Sequence, residues 1–406
     1  MKLFYFTDSY PFGIGEQWKA NELKELVHHF ESITVIPFSY GGNFDKPKAL
    51  PPGVVLKGPL FEIDRIKLRK SDIAKVIFSR FFVQFFREFF NRGVYANKKR
   101  IVSWILGCMN VIRLMKHPVI QTVLAEADKN AVLYFYWGKG ACEVLPFTDT
   151  ARFHKTFVRM HRHDLFEYEN RNYIPFRRSL LKSVSMVAPS SQAGKKHLQE
   201  LYPENGSKVK LVRCGTIGNG KLAKPSSDKL LRVISCSFLS PVKRVNLMIE
   251  SLQYIEFPIM WYHVGDGPLR KDLEDLAGKF NVSDRFIFKG MMDSRTVLDF
   301  YTDNPVDLFV NTSESEGVPF SIMEAFSVGI PVMATDVGGS GEIVDEKTGK
   351  LLPREISGEK LALALKEYYY KRAADKNKLR TEVFNRYKEH WDAQKLAREL
   401  ACLLKE

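Results

Sequence analysis

Short apolar runs alternate with amphipathic helical patterns along the whole chain. Runs of this length predict strands buried in a sheet, and strands that alternate with helices predict parallel βαβ units. The predicted strands are 3–6, 33–38, 132–136, 157–160, 186–189, 232–236, 260–264, 286–288, 308–310 and 331–334. They fall into two sets of five, so the fold class is α/β with two Rossmann-like domains.

The chain has 406 residues, which suits two domains of about 200 residues each. The break is expected in the polar stretch 202–208 or in the segment 215–229, which is rich in Gly, Lys, Pro and Ser. A further strand is predicted at 209–212. We divide the chain into an N-terminal acceptor-binding domain, 1–207, a C-terminal nucleotide-sugar-binding domain, 208–385, and a C-terminal helix, 386–406.

Composition restricts the class of protein and the kind of partner. The chain is 45% hydrophobic and 27% charged, which is typical of globular proteins. Its first residues lack the pattern of a signal peptide, and the most apolar long window, 101–120, is too charged and too short to span a membrane. Five scattered cysteines indicate reduced thiols in a cytoplasmic protein. The net charge of +14 favours an anionic partner: nucleic acid, anionic lipid or a phosphorylated substrate.

The segment 65–100 differs from its surroundings in being both aromatic and basic. Phenylalanines recur at helical spacing between Phe78 and Phe90, and Lys and Arg greatly outnumber acids. One interpretation is an amphipathic core helix. The other is an interfacial helix that inserts Phe among lipid headgroups while the basic residues meet anionic lipid, which would place the protein on the inner face of the cell membrane.

The segment 313–339, SESEGVPFSIMEAFSVGIPVMATDVGG, contains the most informative chemistry. Its two carboxylates, Glu316 and Glu324, lie on either side of a helix predicted to begin near Pro319, after the flexible Gly317. The first N–H groups of such a helix attract phosphate or sugar oxygens. Glu324 lies among apolar residues and needs hydrogen-bond donors, which sugar or ribose hydroxyls could supply. The alternative is a loop glutamate and a salt-bridged helix glutamate.

This segment resembles the donor-site signature of glycosyltransferase family 4, retaining enzymes of the GT-B fold. Both have two glutamates separated by seven residues, then a small-Gly-x-Pro-Val strand, here 328–332, and an Asp-x-Gly-Gly turn, here 336–339. The resemblance covers most of the chain and is strongest from 208 to 352. It implies two Rossmann-like domains facing across a cleft, with the last helix packed back on the N-terminal domain.

The resemblance also implies roles for the C-terminal residues. Glu316 would bind sugar hydroxyls, Glu324 the ribose hydroxyls, and Lys243 the diphosphate. The helix start would add backbone contacts from Gly317, Val318, Pro319 and Phe320. Met291, after a strand and Gly290, would border the nucleobase. In isolation, Lys243 also fits a solvated loop lysine. Family members usually have an arginine where this chain has Phe238, so Arg244 becomes the candidate for a second phosphate-binding cation.

Two N-terminal motifs complete the set of candidates. His161 and His163 follow a strand, at the sheet edge where ligands bind in open α/β folds. His161, with Asp164 behind it, matches the family histidine near the transferred sugar. The alternatives are a structural histidine or, with His163, a metal ligand, although the sequence shows no pattern for a third ligand. The glycine loop around Gly15 would border the acceptor and the donor phosphates. Its neighbour Glu16 equally fits an acid stabilised by a helix N-terminus.

The implied function is retaining transfer of a sugar from a nucleotide diphosphate sugar to an acceptor hydroxyl in surface polysaccharide biosynthesis. UDP-sugar is favoured and GDP-sugar is the alternative donor; the acceptor is a saccharide or a lipid-linked saccharide. Without an Asp-x-Asp motif, neither a metal nor a resident cofactor is expected. Two rival functions remain: a basic nucleic-acid-binding protein, disfavoured because no binding motif is recognisable, and an epimerase or phosphorylase on the same fold.

Overall fold

The computed structural model describes residues 1–13, 18–40, 46–62 and 70–406. Their contacts form two compact units. The first comprises Met1–Arg213 with Ala397–Glu406, and the second comprises Cys214–Leu396. The domain boundaries at 207/208 and 385/386 stay predictions from the sequence.

The first unit is built on a parallel sheet of six strands. In chain order these are β1 (Lys2–Thr7), β2 (Ser32–Pro37), β3 (Val54–Leu56), β4 (Ala131–Phe135), β5 (Lys155–Met160) and β6 (Met186–Pro189). They are arranged in the order β3-β2-β1-β4-β5-β6. The central strand β1 pairs with β2 on one side and β4 on the other, with Leu3 opposite both Ile33 and Val132. Because such a strand is covered on both faces, it is apolar throughout rather than alternating.

Eight α-helices accompany this sheet in the described residues. They are α1 (Trp18–Leu26), α2 (Lys70–Ile77), α3 (Phe82–Asn91), α4 (Lys98–Met115), α5 (Pro118–Glu126), α6 (Arg162–Leu165), α7 (Arg177–Ser183) and α8 (Gln192–Leu201). Local sequence signals start several of them. The Asn97 side chain accepts the Lys99 N–H at the start of α4, Pro118 occupies the first turn of α5, and Ser191 accepts the Gly194 N–H at the start of α8.

The second unit repeats this architecture. Its strands are β7 (Leu231–Cys236), β8 (Ile259–Val264), β9 (Phe286–Gly290), β10 (Leu308–Asn311), β11 (Val332–Thr335) and β12 (Gly349–Leu352). They are arranged in the order β12-β11-β10-β7-β8-β9, and every strand pair is parallel. Read from β9, this is the same strand order as in the first unit.

The helices that follow are α9 (Val245–Ser251), α10 (Arg270–Lys279), α11 (Ser294–Asp303), α12 (Phe320–Ser327), α13 (Gly358–Tyr369), α14 (Ala373–His390) and α15 (Ala393–Lys405). Residues 397–406, most of α15, belong to the first unit. There Leu400, Ala401 and Leu404 are buried in the same apolar cluster as Leu3 and Tyr5 of β1.

Several sequence predictions need correction. The strand predicted at 209–212 is wrong, because only Val209 forms an isolated bridge, with Val187 of β6. The edge strands β3 and β12 were not predicted. The aromatic segment is not one helix, since residues 78–81 form a turn between α2 and α3. The prediction that a helix begins near Pro319 is confirmed, because α12 begins at Phe320 with Pro319 as its N-cap residue.

Candidate active site

The carboxyl ends of β7 and β10 lie side by side in the second unit. The chain passes from β7 outward through β8 to β9, and β10 then returns to the other side of β7. Ligands bind in open α/β sheets at the point where the strand order reverses in this way. The loops that leave this point are 237–244 after β7 and 312–319 after β10, so Lys243 and Glu316 come from neighbouring strands.

The carboxylate of Glu316 is the centre of this cluster. Its side chain is 9% exposed, and Oε1 accepts hydrogen bonds from Lys243 Nζ at 2.7 Å, Ser313 Oγ at 2.6 Å and Asn311 Nδ2 at 3.2 Å. A buried carboxylate requires this kind of compensation, because an unpaired one would be strongly destabilising. The ion pair and the two hydrogen bonds therefore hold the Glu316 carboxylate in a defined position. Sequence analysis missed both Asn311 and Ser313, although polar residues at the end of an apolar strand were a usable signal.

Reciprocal hydrogen bonds join the two loops to each other. Thr312 Oγ1 donates to the carbonyls of Lys243 and Arg244, at 3.1 and 3.0 Å, and Arg244 Nε donates back to the carbonyl of Thr312 at 2.8 Å. Thr335, the last residue of β11, donates to the carbonyl of Ser313. The ends of three adjacent strands are thus tied together, which fixes the distance between Lys243 and Glu316.

Arg244 has an unusual backbone conformation for its residue type. Its φ and ψ are +47° and +44°, the left-handed region that favours glycine. A glycine would adopt this conformation without strain. Its guanidinium also donates to the carbonyl of Ser313 at 3.4 Å, so in this structure the arginine closes the loop rather than standing open as a second cation. Its assignment to phosphate binding stays a prediction.

The Asp-x-Gly-Gly turn packs directly against the Glu316 loop. A Cβ at Gly338 would lie 1.9 Å from the carbonyl oxygen of Glu316, and one at Gly339 would lie 2.4 Å from that of Gly317. Gly338 also has a φ of +54°, and the Gly339 N–H donates to the Gly317 carbonyl at 2.6 Å. No other residue type fits this approach without displacing the loop.

The helix that starts beside Glu316 carries the second glutamate. Gly317, Val318 and Pro319 lead into α12, whose first residue is Phe320, and Glu324 lies one turn later. Glu324 is half-buried, and burial raises its pKa while a hydrogen bond from Ser294 Oγ partly opposes the shift. Burial, and after it the Glu324 charge, raises the pKa of the Cys236 thiol to about 12. Ser294 was not predicted from the sequence.

Two apolar candidates are exposed in the same unit. Phe238, in the family arginine position, is 54% exposed, and Met291 is 65% exposed after β9. Gly265 and Gly267 close the end of β8 against residues 237–239, since a Cβ at Gly265 would lie 1.9 Å from the Ser237 carbonyl oxygen. This turn is therefore a packing requirement. The nucleobase role of Met291 stays a prediction.

His161 follows β5 in the first unit, as predicted, but its surroundings are aromatic. Its ring stacks on Tyr136 with centroids 5.0 Å apart and contacts Trp137 at 4.7 Å. Burial, together with the nearby charges of Arg159 and Lys19, lowers its pKa well below the usual value, against the effect of a hydrogen bond to the Tyr136 backbone. The imidazole is therefore neutral at physiological pH. Its Nε2 is buried without a hydrogen-bond partner among the described residues.

Asp164 holds the backbone around this histidine. Its carboxylate accepts the N–H of His161 at 2.7 Å and the N–H of Gly138. Burial raises its pKa to about 6, with these hydrogen bonds and Arg177 acting in the opposite direction. Asp164 thus positions the turn rather than the imidazole ring. The aromatic partners Tyr136 and Trp137 were not predicted from the sequence.

The glycine loop around Gly15 and Glu16 lies outside the described residues. Within residues 1–13, 18–40, 46–62 and 70–406, no helix is both long and apolar enough to cross a bilayer.

Comparison with known proteins bears on the segment that carries the glutamates. Residues 219–385 match the family described as "Glycosyl transferases group 1". The match covers about two fifths of the chain. Lys243, Glu316 and Glu324 fall inside the matched segment, and His161 falls outside it.

Named relatives match over part of their length. Protein CapJ of Staphylococcus aureus is 31% identical over 158 residues, 38% of this chain and 40% of CapJ. The putative colanic acid biosynthesis glycosyltransferase WcaL of Escherichia coli is 25% identical over 243 residues, 57% of this chain and 59% of WcaL. The chain thus spans between about two and three fifths of these curated relatives.

A solved structure matches over the whole chain. Anabaena HepE in complex with UDP and glucose is similar with a TM-score of 0.61 at 18% identity, covering 100% of this chain and 99% of HepE. Identity this low shows a shared fold and no more. The predicted fold class, two Rossmann-like parallel α/β sheets of the GT-B type, is confirmed.

Proposed function

We propose that this protein is a retaining glycosyltransferase that moves a sugar from a nucleotide diphosphate sugar to a hydroxyl of a saccharide or lipid-linked saccharide. The observation that carries the proposal is the buried Glu316 carboxylate, ion-paired with Lys243 where the strand order reverses. The membership of residues 219–385 in the group 1 family supports it. The HepE complex supports UDP as the nucleotide, and WcaL supports a role in surface polysaccharide assembly.

The ion pair suggests how donor binding prepares the site. A bound diphosphate would compete with Glu316 for the Lys243 ammonium, since both are anions within reach of one mobile cation. Ser313 and Asn311 would keep the carboxylate in place while Oε1 loses its charged partner. Glu316 would then accept hydrogen bonds from sugar hydroxyls, so diphosphate binding and sugar binding are coupled.

The chemistry follows from where charge develops. The bond between the sugar C1 and the phosphate oxygen breaks, the acceptor oxygen bonds to C1 on the same face, and the acceptor proton passes to the leaving phosphate. Lys243 and the backbone at Gly317 to Phe320 would stabilise the charge on that phosphate. Glu324 would bind the ribose hydroxyls, Met291 would border the base, and Arg244 would contribute to the phosphates only by releasing its loop carbonyls.

His161 would serve the transferred sugar from the first unit. Its ring donates one hydrogen bond to the Tyr136 backbone, so the neutral tautomer leaves a lone pair on Nε2. That nitrogen would accept a hydrogen bond from a sugar hydroxyl.

Binding and product analysis test the proposal together. Thermal melting of the wild-type chain with UDP, GDP and ADP should show a rise in Tm with one nucleotide, UDP by expectation, because a ligand of the native state stabilises it. Lys243→Met should lose most of this rise, because removing a charge-assisted contact weakens binding by about tenfold to a hundredfold. Lys229→Met, an exposed lysine in the same unit, should keep the rise.

Incubation with the matching nucleotide sugar and a lipid-linked acceptor should then yield a product with the donor's anomeric configuration. No stabilisation by any nucleotide, or stabilisation that Lys243→Met retains in full, would contradict the donor-site assignment. An inverted product would contradict retention alone.

A further inference from the structure

The aromatic and basic segment belongs to neither candidate site, and the structure separates its two sides. The inner side of α3 is fixed in the core of the first unit. Phe85 is fully buried and packs on Phe147 and Phe176, with centroids 5.4 and 5.5 Å apart. Glu88 is 7% exposed and accepts hydrogen bonds from Tyr173 Oη at 3.0 Å and the Phe176 N–H at 3.1 Å. These contacts determine which side of the helix faces solvent.

The outer side presents a continuous apolar surface. We call it the aromatic face: Phe82, Val83, Phe86, Phe90 and Tyr95. Consecutive rings are in contact, with centroids 5.6 Å apart for Phe82–Phe86, 4.5 Å for Phe86–Phe90 and 5.9 Å for Phe90–Tyr95. About half or more of Val83, Phe86, Phe90 and Tyr95 is exposed.

Further apolar exposure lies immediately before α3. Phe78, in the turn that leads into the helix, is 87% exposed, and Ile73 and Ile77 of α2 are each about half exposed. Burying solvent-exposed phenylalanine is favourable, so contiguous patches of this kind mark a surface that binds a partner.

The exposed charges of this segment have one sign. Residues 70–100 contain eight Lys and Arg and only two acids, Asp72 and Glu88. Both acids are buried, and Asp72 is paired with Lys75. Arg80, Arg87, Lys98 and Lys99 are exposed beside the aromatic residues. The partner must therefore be apolar and anionic at once.

We propose that the aromatic face docks on an anionic lipid bilayer, with its rings among the headgroups and upper acyl chains and its basic residues against lipid phosphates. Amphipathic surfaces with a basic border bind membranes in this manner. A second copy of the chain fits less well, because a symmetric contact through this face would bring like-charged residues such as Arg87 and its counterpart together. The inference does not depend on sugar transfer.

Vesicle flotation of the full chain tests the proposal. The wild type should bind vesicles of phosphatidylcholine mixed with phosphatidylglycerol, and bind much more weakly to phosphatidylcholine alone. Phe86→Ser with Phe90→Ser should weaken binding by about fivefold for each ring, since half of each is already buried. Arg87→Gln with Lys98→Gln and Lys99→Gln should weaken binding to the anionic vesicles by about fivefold for each charge and leave the residual neutral binding unchanged.

Matched variants elsewhere control for general surface effects. Tyr254→Ser with Tyr370→Ser removes two aromatic side chains that are 57% and 68% exposed in the second unit, and Lys196→Gln removes an exposed lysine of α8. These variants should bind as the wild type does, and circular dichroism with thermal melting should show that all variants are folded.

Three outcomes would overturn the proposal. They are equal binding to neutral and anionic vesicles, equal losses in the control variants, and vesicle binding that the face variants leave intact. Sedimentation velocity tests the alternative occupant, a second copy of the chain. If the wild type is a dimer that does not bind vesicles, and Phe86→Ser with Phe90→Ser makes it monomeric, the face binds a second copy.

Discussion

The two units share one strand order and differ in what they place at the carboxyl ends of their strands. In the second unit, a carboxylate and an ammonium group form an ion pair at these ends, among hydroxyl and amide donors. In the first, a neutral imidazole lies between aromatic rings. The same backbone architecture therefore holds a charged pair in one unit and a neutral ring in the other, and these few side chains set the chemistry of each position.

Removing the charge of Glu316 should have the largest effect on this comparison. Glu316→Gln should lower kcat for transfer by about a hundredfold to a thousandfold, as removal of a preorganised transition-state contact does. Nucleotide binding should persist, because Lys243 loses only its competitor for the diphosphate. Initial rates and calorimetric titration with UDP measure the two quantities. Glu314→Gln, two residues away and 52% exposed, is the control and should retain activity; equal activity of the two variants would contradict the role of Glu316.

Substituting His161 in the first unit should lower activity by less, and this residue should add no pH dependence to the activity. His161→Ala should lower kcat/KM by about fivefold to tenfold, the value of one hydrogen bond between neutral groups. Because the pKa of His161 lies well below 6.5, activity should show no change attributable to this histidine as pH rises through that value. The pH profiles of the wild type, His161→Ala and the exposed control His163→Ala measure this. A change of activity near pH 6.5 that is lost only in His161→Ala would mean that the His161 imidazole is protonated and deprotonated during function.

Glu324 offers a stability measurement inside the charged site. Its pKa is raised on folding, so the folded state disfavours the ionised form, and stability falls as pH rises from the usual glutamate value of about 4.5 through the raised folded value. Glu324→Gln should therefore melt at a higher temperature than the wild type at pH 7. The difference should vanish well below pH 4.5, where the Glu324 carboxyl is protonated in both the folded and the unfolded chain.

The exposed Glu346→Gln variant provides the reference for that comparison, and its melting temperature should follow the wild type at both pH values. A stabilisation of Glu324→Gln that persisted unchanged in acid would assign it to packing instead of charge.

The smallest expected effect concerns the backbone of the charged loop. Arg244→Gly and Arg244→Ala both remove the guanidinium contacts, but only glycine adopts the left-handed conformation at +47° without strain. The glycine variant should be more stable than the alanine variant by about 1 kcal/mol. At Lys366, an exposed position in α13, the same pair should show the opposite order by a similar amount. Denaturant titration of the four variants measures both differences, and the same order at both positions would contradict the strain.

Strands buried on both faces could be predicted from the sequence, because their apolar runs are continuous, as in β1 and β10. The edge strands escaped prediction for the opposite reason. β3 has three partly exposed residues and β12 begins with Gly349 and Lys350, so neither carries a distinct pattern. Residues 209–212 have such a pattern but lie beside β6 with only one bridge.

The candidate site was predictable only where its residues are close in sequence or match a family motif. The spacing of Glu316 and Glu324 could be read directly. The pairing of Ser294 with Glu324, and the stacking of His161 on Tyr136, depend on which strands and helices are neighbours. The loop imposes the left-handed backbone conformation of Arg244, and an arginine in the sequence gives no reason to predict it.

The close approach of Gly338 and Gly339 to the Glu316 loop has a consequence for engineering this protein. The turn after strand β11 contacts the Glu316 loop through backbone atoms, so libraries that vary or lengthen 336–339 would mostly yield misplaced loops. Phe238 and Met291 have no such constraint on their exposed side chains. A search for altered donor preference would therefore begin by randomising those two positions and leaving the glycine turn untouched.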